Sequence, residues 1–256
     1  MPKIDRKSAI FFANQLRSAR LAALADAEAF DEIIHAVERL GSYLNGKLRD
    51  LGGYRTAVTS SDVAGVSGLT DLPDPFRTLF TPFAGLYDLV TQARNDALHQ
   101  GAFARHLTKH AIELAIVLED ALSTYFDPVV SDFMVRDPVC AELWQPLGFI
   151  RQRMLANSYS YLPARGDDEA WLIVSDAAVA RFLRLDRNGG TRKMRLAVTL
   201  RDASQRDSDL LERAQTLPPG AEVREALERL SPKGVLLVIG PDGGALLGIL
   251  TAFDLL

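Results

Sequence analysis

The chain has 256 residues, 48% hydrophobic and 24% charged, with a formal net charge of −4. That length accommodates one large domain or two ordinary ones with separate cores, and the composition is that of a globular protein and excludes general disorder. The near-even balance of acids and bases excludes a general polyanion binder, and specific DNA binding is not expected.

No apolar run reaches the length of a membrane span, and "MPKIDRKSAIFF" lacks the apolar core and cleavage site of a signal peptide, so a cytoplasmic chain is expected. The single cysteine, Cys140, leaves no internal disulfide and no cysteine-based metal site.

Apolar residues recur at helical spacing through residues 1–126, which predicts a four-helix bundle. Asp26 is placed to cap a helix to about Asn45 with Phe30, Ile33, Ile34, Val37 and Leu40 on one side. "LGGYRTAVTSSDVAGVSGLTDLPDP" reads as a long loop or irregular connection. A third helix is expected from near Phe76 to about His99, with Gly101 placed to stop it. In the fourth, Ala104, Leu107, Ala111, Leu114, Leu118 and Leu122 form one stripe.

From about Asp127 the pattern changes to short strands alternating with helices, so a second domain is expected over 127–256. "WQPLGFIRQRMLAN", "SYSYLPA", "RGDDE", "AWLIVS" and "DAAVARFLRL" read helix, strand, turn, strand, helix. "EVREALERL", "GVLLVI", "GPDGG", "ALLGIL" and "TAFDLL" repeat the order. Laying Ser175 on Thr251 aligns both copies, about 129–186 and 210–256. The class is therefore α+β, a helical bundle followed by a tandem α/β repeat. A unit of two or three strands leaves a sheet face exposed, which its twin would cover.

The repeat resembles a CBS-domain pair, the Bateman module. "DFMVRDPVCAE" is similar to the family's opening segment, "SYSYLPA" to its central strand and "LLGILTAFDLL" to its closing motif, in which Gly248, Thr251 and Asp254 hold the three motif positions. A glycine permits close approach, a hydroxyl at a helix start suits a phosphate, and a carboxylate accepts both ribose hydroxyls. The resemblance implies a regulatory adenosine-containing nucleotide there. The first copy keeps Ser175 but has Leu172 and Ala178 at the other two positions, which implies one competent site per chain. Seven bases between residues 181 and 201 face one acid, Asp186, and are read as a solvated basic segment or as phosphate contacts.

In the helical half, "RNDALH" resembles the motif of the HEPN family, carried by Arg94, Asn95 and His99. Active members are dimeric, metal-independent ribonucleases, which implies His99 as base or acid and Arg94 as a clamp on the RNA phosphate. No catalytic cofactor and no metal are implied. Arg105 and His110 repeat the spacing inside the fourth helix and are read as coincidence. His106, His110 and Glu113 have the spacing of a metal site but read more simply as a solvated face; His35 reads as a core-edge histidine, and Trp144 and Trp171 as packing residues. Two functions therefore stand side by side. One is a nucleotide-sensing homodimer that controls RNA cleavage; the other is a nucleotide-responsive adaptor or dimerisation module with an inactive bundle.

Overall fold

The structure, a computed structural model, describes residues 4–60, 62–70, 76, 78–100, 104–184, 191–230 and 234–256, with 96–100 and 104–106 described by backbone alone. It divides into two compact units, Met1–Asp127 and Pro128–Leu256. The first is helical and the second mixed α/β. Among the described residues, no helix is long and apolar enough to cross a membrane.

The first unit contains α1 (Arg6–Ala25), α2 (Phe30–Asn45), α3 (Arg55–Val58), α4 (Phe83–Gln100) and α5 (Ala104–Ser123). Helix α1 starts where Asp5 accepts the Ser8 amide at 2.7 Å, and α2 ends at Gly46 in the left-handed conformation that glycine adopts without strain. Asp26 caps a 3-10 turn, Ala27–Ala29, and α2 comes directly after it. The apolar stripes of α1, α2, α4 and α5 meet in one core, with Leu16, Ile33, Leu40, Val90, Leu114 and Leu118 fully enclosed.

One expectation for this half needs correction. The third helix begins at Phe83, not near Phe76, because Pro82 cannot donate a backbone hydrogen bond and therefore marks a helix start. Phe76, Leu79 and Phe80 consequently stay exposed. The connection after α2 is irregular and also supplies core residues. Leu51, Tyr54, Ala57, Val58, Val63 and Ala64 are core residues, carried on or next to α3 and the 3-10 turns Gly52–Tyr54 and Ala64–Val66, with a further 3-10 turn at Gly68–Thr70. Gly41 admits the Tyr54 ring, since a Cβ there would lie 2.5 Å from its Cγ.

The second unit runs α6 (Val130–Phe133), β1 (Val135–Arg136), α7 (Leu147–Asn157), β2 (Tyr161–Arg165), β3 (Trp171–Ser175), α8 (Asp176–Arg184), α9 (Arg192–Ala197) and α10 (Leu200–Arg206). It continues with β4 (Glu212–Arg213), β5 (Thr216–Leu217), α11 (Val223–Leu230), β6 (Val235–Ile239), β7 (Leu246–Thr251) and a terminal 3-10 turn, Ala252–Leu255. One sheet has the order β1-β7-β6-β5 and the other β2-β3-β4. Both central hairpins are antiparallel, with Tyr161 opposite Ser175 in one and Val235 opposite Thr251 in the other.

Strand alternation explains how the unit is held together. On β6, Val235 and Leu237 pack with Ile173 of β3 and Ile249 of β7, which places one sheet face against the other. The intervening Leu236 and Val238 point the other way, against Ala226 and Leu230 of α11. Burial on both faces is why "VLLVI" is an unbroken apolar run. In the first repeat, Leu162, Ala164 and Val174 turn instead to α7, α8 and α10. Cys140 is a free thiol whose pKa is raised by burial and, second, by Glu142.

Candidate functional site

Each central hairpin of the second unit ends in a hydroxyl residue that opens the next helical segment. Ser175, closing β3, accepts the amide of Ala178 at 3.1 Å and so starts α8. Thr251, closing β7, donates both its amide and its Oγ1 to Asp254 Oδ2, at 2.7 and 2.8 Å. The Asp254 carboxylate thus reaches back to the amide of the residue that opens the terminal turn. Thr251 and Asp254 are therefore in direct contact, with the carboxylate held by two donors. Gly248 stands two strand positions before Leu250 and pairs with Arg136 of β1. A Cβ at Gly248 would lie 2.6 Å from Met134 Sδ and 2.9 Å from the Val135 carbonyl oxygen, so the missing side chain admits β1 and its preceding residue.

At the first repeat's hairpin end lies a cavity of about 340 Å³, at the lower end of ligand-pocket sizes. Ser175, Asp176 and Arg181 line it from β3 and α8. Asp209, Glu212 and Arg213 come from the chain between α10 and β5, and Tyr161 and Val235 from the starts of β2 and β6. Three carboxylates and two guanidiniums face the same space, so the charges nearly balance. Ala178, the third motif position of this copy, is buried in the core of the first repeat. Sequence reasoning missed Asp176, Asp209, Glu212 and Arg213. The last three lie on or beside a two-residue strand, too short to leave a periodic signal.

The basic segment is spread over three helices, Arg181 and Arg184 on α8, Arg192, Lys193 and Arg195 on α9, and Arg201 on α10. Arg201 forms a fork with Asp167 in the β2–β3 turn, its Nη2 at 2.8 Å from Oδ1. Asp186 and Arg187 lie outside the described residues.

In the helical unit, Arg94 and Asn95 sit on α4, which continues through His99 to Gln100. Positions five apart on an unbroken helix stand about 140° apart around its axis. Arg94 Nη2 lies 3.2 Å from Glu38 Oε1 on α2, and Asn95 is exposed. The His99 side chain lies outside the described residues, as do those of Arg105 and His106. His110 Nδ1 lies 3.3 Å from Glu113 Oε2. Among the described residues, no group of three or more histidine, cysteine or carboxylate side chains is placed to hold a metal ion. His35 is exposed, because one helical step separates it from the buried Ile34 and Ala36. Trp144 is 70% exposed, so core packing does not account for it. Trp171 lies on β3 with the Arg165 guanidinium 4.8 Å from its ring centre.

No curated protein matches the chain. Similar solved structures include a CBS domain-containing protein from Bacillus anthracis, 17% identical over 52% of this chain and 92% of its own, with a TM-score of 0.41. An acetoin utilization protein, AcuB, from Vibrio cholerae is 18% identical over 51% of this chain and 88% of its own, TM-score 0.40. CBSX2, solved in complex with AMP, is 18% identical over 49% of this chain and 91% of its own, TM-score 0.38. The sequence model of the CBS domain matches residues 208–256, the stretch that carries β4 to β7 and the Thr251–Asp254 cap. The C-terminal unit of this protein therefore contains a CBS-domain region.

Proposed function

We propose that the protein is a non-catalytic regulatory module that responds to an adenosine-containing nucleotide, with the second repeat as the binding site. The observation that carries this reading is Asp254. It belongs to the segment matching the CBS domain, and its carboxylate is held in one orientation by the Thr251 amide and hydroxyl. A carboxylate fixed beforehand can receive two ribose hydroxyls without ordering a loose side chain. Thr251 Oγ1 would then exchange Asp254 for a phosphate oxygen. Binding would change the output only through different affinity for two arrangements of the protein.

The cavity beside Ser175 supports a second reading, with the nucleotide in the first repeat. There Arg181 and Arg213 would meet phosphate, while Ala178 supplies no carboxylate for the ribose. The ribonuclease alternative draws less support. Arg94 is engaged by Glu38, and α4 keeps its residue at 94 and its residue at 99 on separated sides of the helix.

Calorimetric titration of AMP and ATP into the protein and into its Asp254→Ala and Arg181→Ala variants tests both sites. Asp254→Ala is expected to weaken binding about tenfold or more, equivalent to about 1.4 kcal/mol, with Arg181→Ala nearly unchanged. The reverse pattern moves the ligand to the first repeat. Absence of binding by the unmodified protein overturns the nucleotide reading. Cleavage of single-stranded RNA in EDTA that vanishes in His99→Ala would restore the enzyme.

A further inference from the structure

The helical unit holds a cleft of about 600 Å³ between the start of α4, the middle of α5 and the 3-10 turn Gly68–Thr70. Its walls are mainly apolar: Leu69, Phe80, Phe83, Leu86, Ile116 and Val117. Phe83 and Leu86 belong to the core, while Leu69, Phe80 and Ile116 keep 40%, 53% and 40% of their surface in water. The volume lies within the range of small-molecule pockets, and apolar surface of this kind is stabilised when a ligand displaces its water.

The polar groups limit the ligand's chemistry. Lys109, His110 and Glu113 lie on adjacent turns of α5 along one edge of the cleft. Glu113 is already engaged by both neighbours, with Lys109 Nζ at 3.8 Å from Oε1 and His110 Nδ1 at 3.3 Å from Oε2. The lysine and glutamate charges cancel. A carboxylate head would meet Glu113 and an ammonium head would meet Lys109, each at the expense of an existing pair. A hydroxyl can donate to Glu113 and accept from Lys109 without disturbing that balance. Thr70 offers no competing donor, since its Oγ1 donates to the Ser67 carbonyl at 2.8 Å.

We infer that this cleft binds an uncharged, mainly apolar small molecule with one hydroxyl-type head, its body against Phe80, Leu86 and Ile116 and its head at the Lys109–Glu113–His110 edge. The inference is independent of the nucleotide site.

Fluorescence titration of the full chain with Nile red, an uncharged apolar dye, tests it. Saturable binding of one dye per chain is expected, weakened roughly tenfold or more in Phe80→Asp and in Ile116→Glu through lost apolar contact and a buried charge. Both positions are partly exposed, and circular dichroism establishes that each variant is folded. Displacement by decanol, decanoate and decylammonium below their aggregation concentrations then reads the head group, with decanol expected to be about fivefold better than either ion. In the unmodified protein, decanol should also shift the methyl resonances of Ile116 and Val117, a readout that needs no variant. Lack of saturable dye binding, indifference to both substitutions, or an ion that matches the alcohol overturns the inference. So does dye binding that falls as the chain self-associates, which would put a second copy in the cleft.

Discussion

Gly248 and Thr251 show how one motif position serves folding before it serves a ligand. The position of a Cβ at Gly248 is occupied by Met134 and by the Val135 carbonyl, and the carbonyl cannot swing aside as a side chain can. Gly248→Ala must therefore push β1 off β7, at a cost of about 1–3 kcal/mol typical of overpacking. Urea unfolding should show a lower midpoint, and an unchanged midpoint would mean that β1 moves freely. Thr251→Ala removes the hydroxyl that donates to Asp254 without adding bulk and should cost about 1 kcal/mol. If that substitution abolished nucleotide binding while Gly248→Ala weakened it only through stability, the hydroxyl would be the ligand contact and the glycine a packing device.

At the scale of elements, α1 and α5 are tied by a charge cluster inside an otherwise apolar face. Arg20 forks onto Glu119, Nε to Oε1 at 2.7 Å and Nη2 to Oε2 at 3.0 Å, and Arg17 Nε lies 3.4 Å from Oε2. Glu119 is only 7% exposed. Glu119→Gln keeps the shape but removes the carboxylate that both guanidiniums face, so a loss of about 3 kcal/mol is expected in thermal or urea unfolding. A change below about 1 kcal/mol would mean that water replaces the carboxylate. The sequence pattern announces α5, whose stripe from Leu107 to Leu122 is nearly ideal, but not this pairing, which joins residues 99 positions apart. The same contrast runs through the second unit. Its two hairpins are legible because alternation, turn residues and repetition agree on "AWLIVS" and "ALLGIL". Strands β4 and β5 are illegible, since two residues carry no period and their pairing is set by β3 and β6. The candidate site divides along that line. Thr251 and Asp254 announce themselves locally, whereas Asp209, Glu212 and Arg213 reach the cavity only through tertiary folding.

For the whole molecule, the consequential fact is that each unit has buried apolar clusters of its own. The first gathers its helices around one core, and the second has three clusters built only from residues between Val130 and Leu255. Its middle cluster, Ile173 with Val235, Leu237 and Ile249, joins the two repeats, so neither sheet needs the helical unit to cover its inner face. One repeat alone would expose that apolar face to water and lose the burial that stabilises it. Residues 128–256 produced without the helical unit should therefore unfold in a single cooperative transition with dispersed amide resonances. Either repeat produced singly should give poorly dispersed spectra. Leu237→Asp in the isolated unit provides the decisive comparison, because it puts an unpaired carboxylate between the sheets and should cost several kcal/mol. If residues 128–256 stayed unfolded, the covering of β6 by β3 would not suffice, and the helical unit would be required for the CBS-domain region to form.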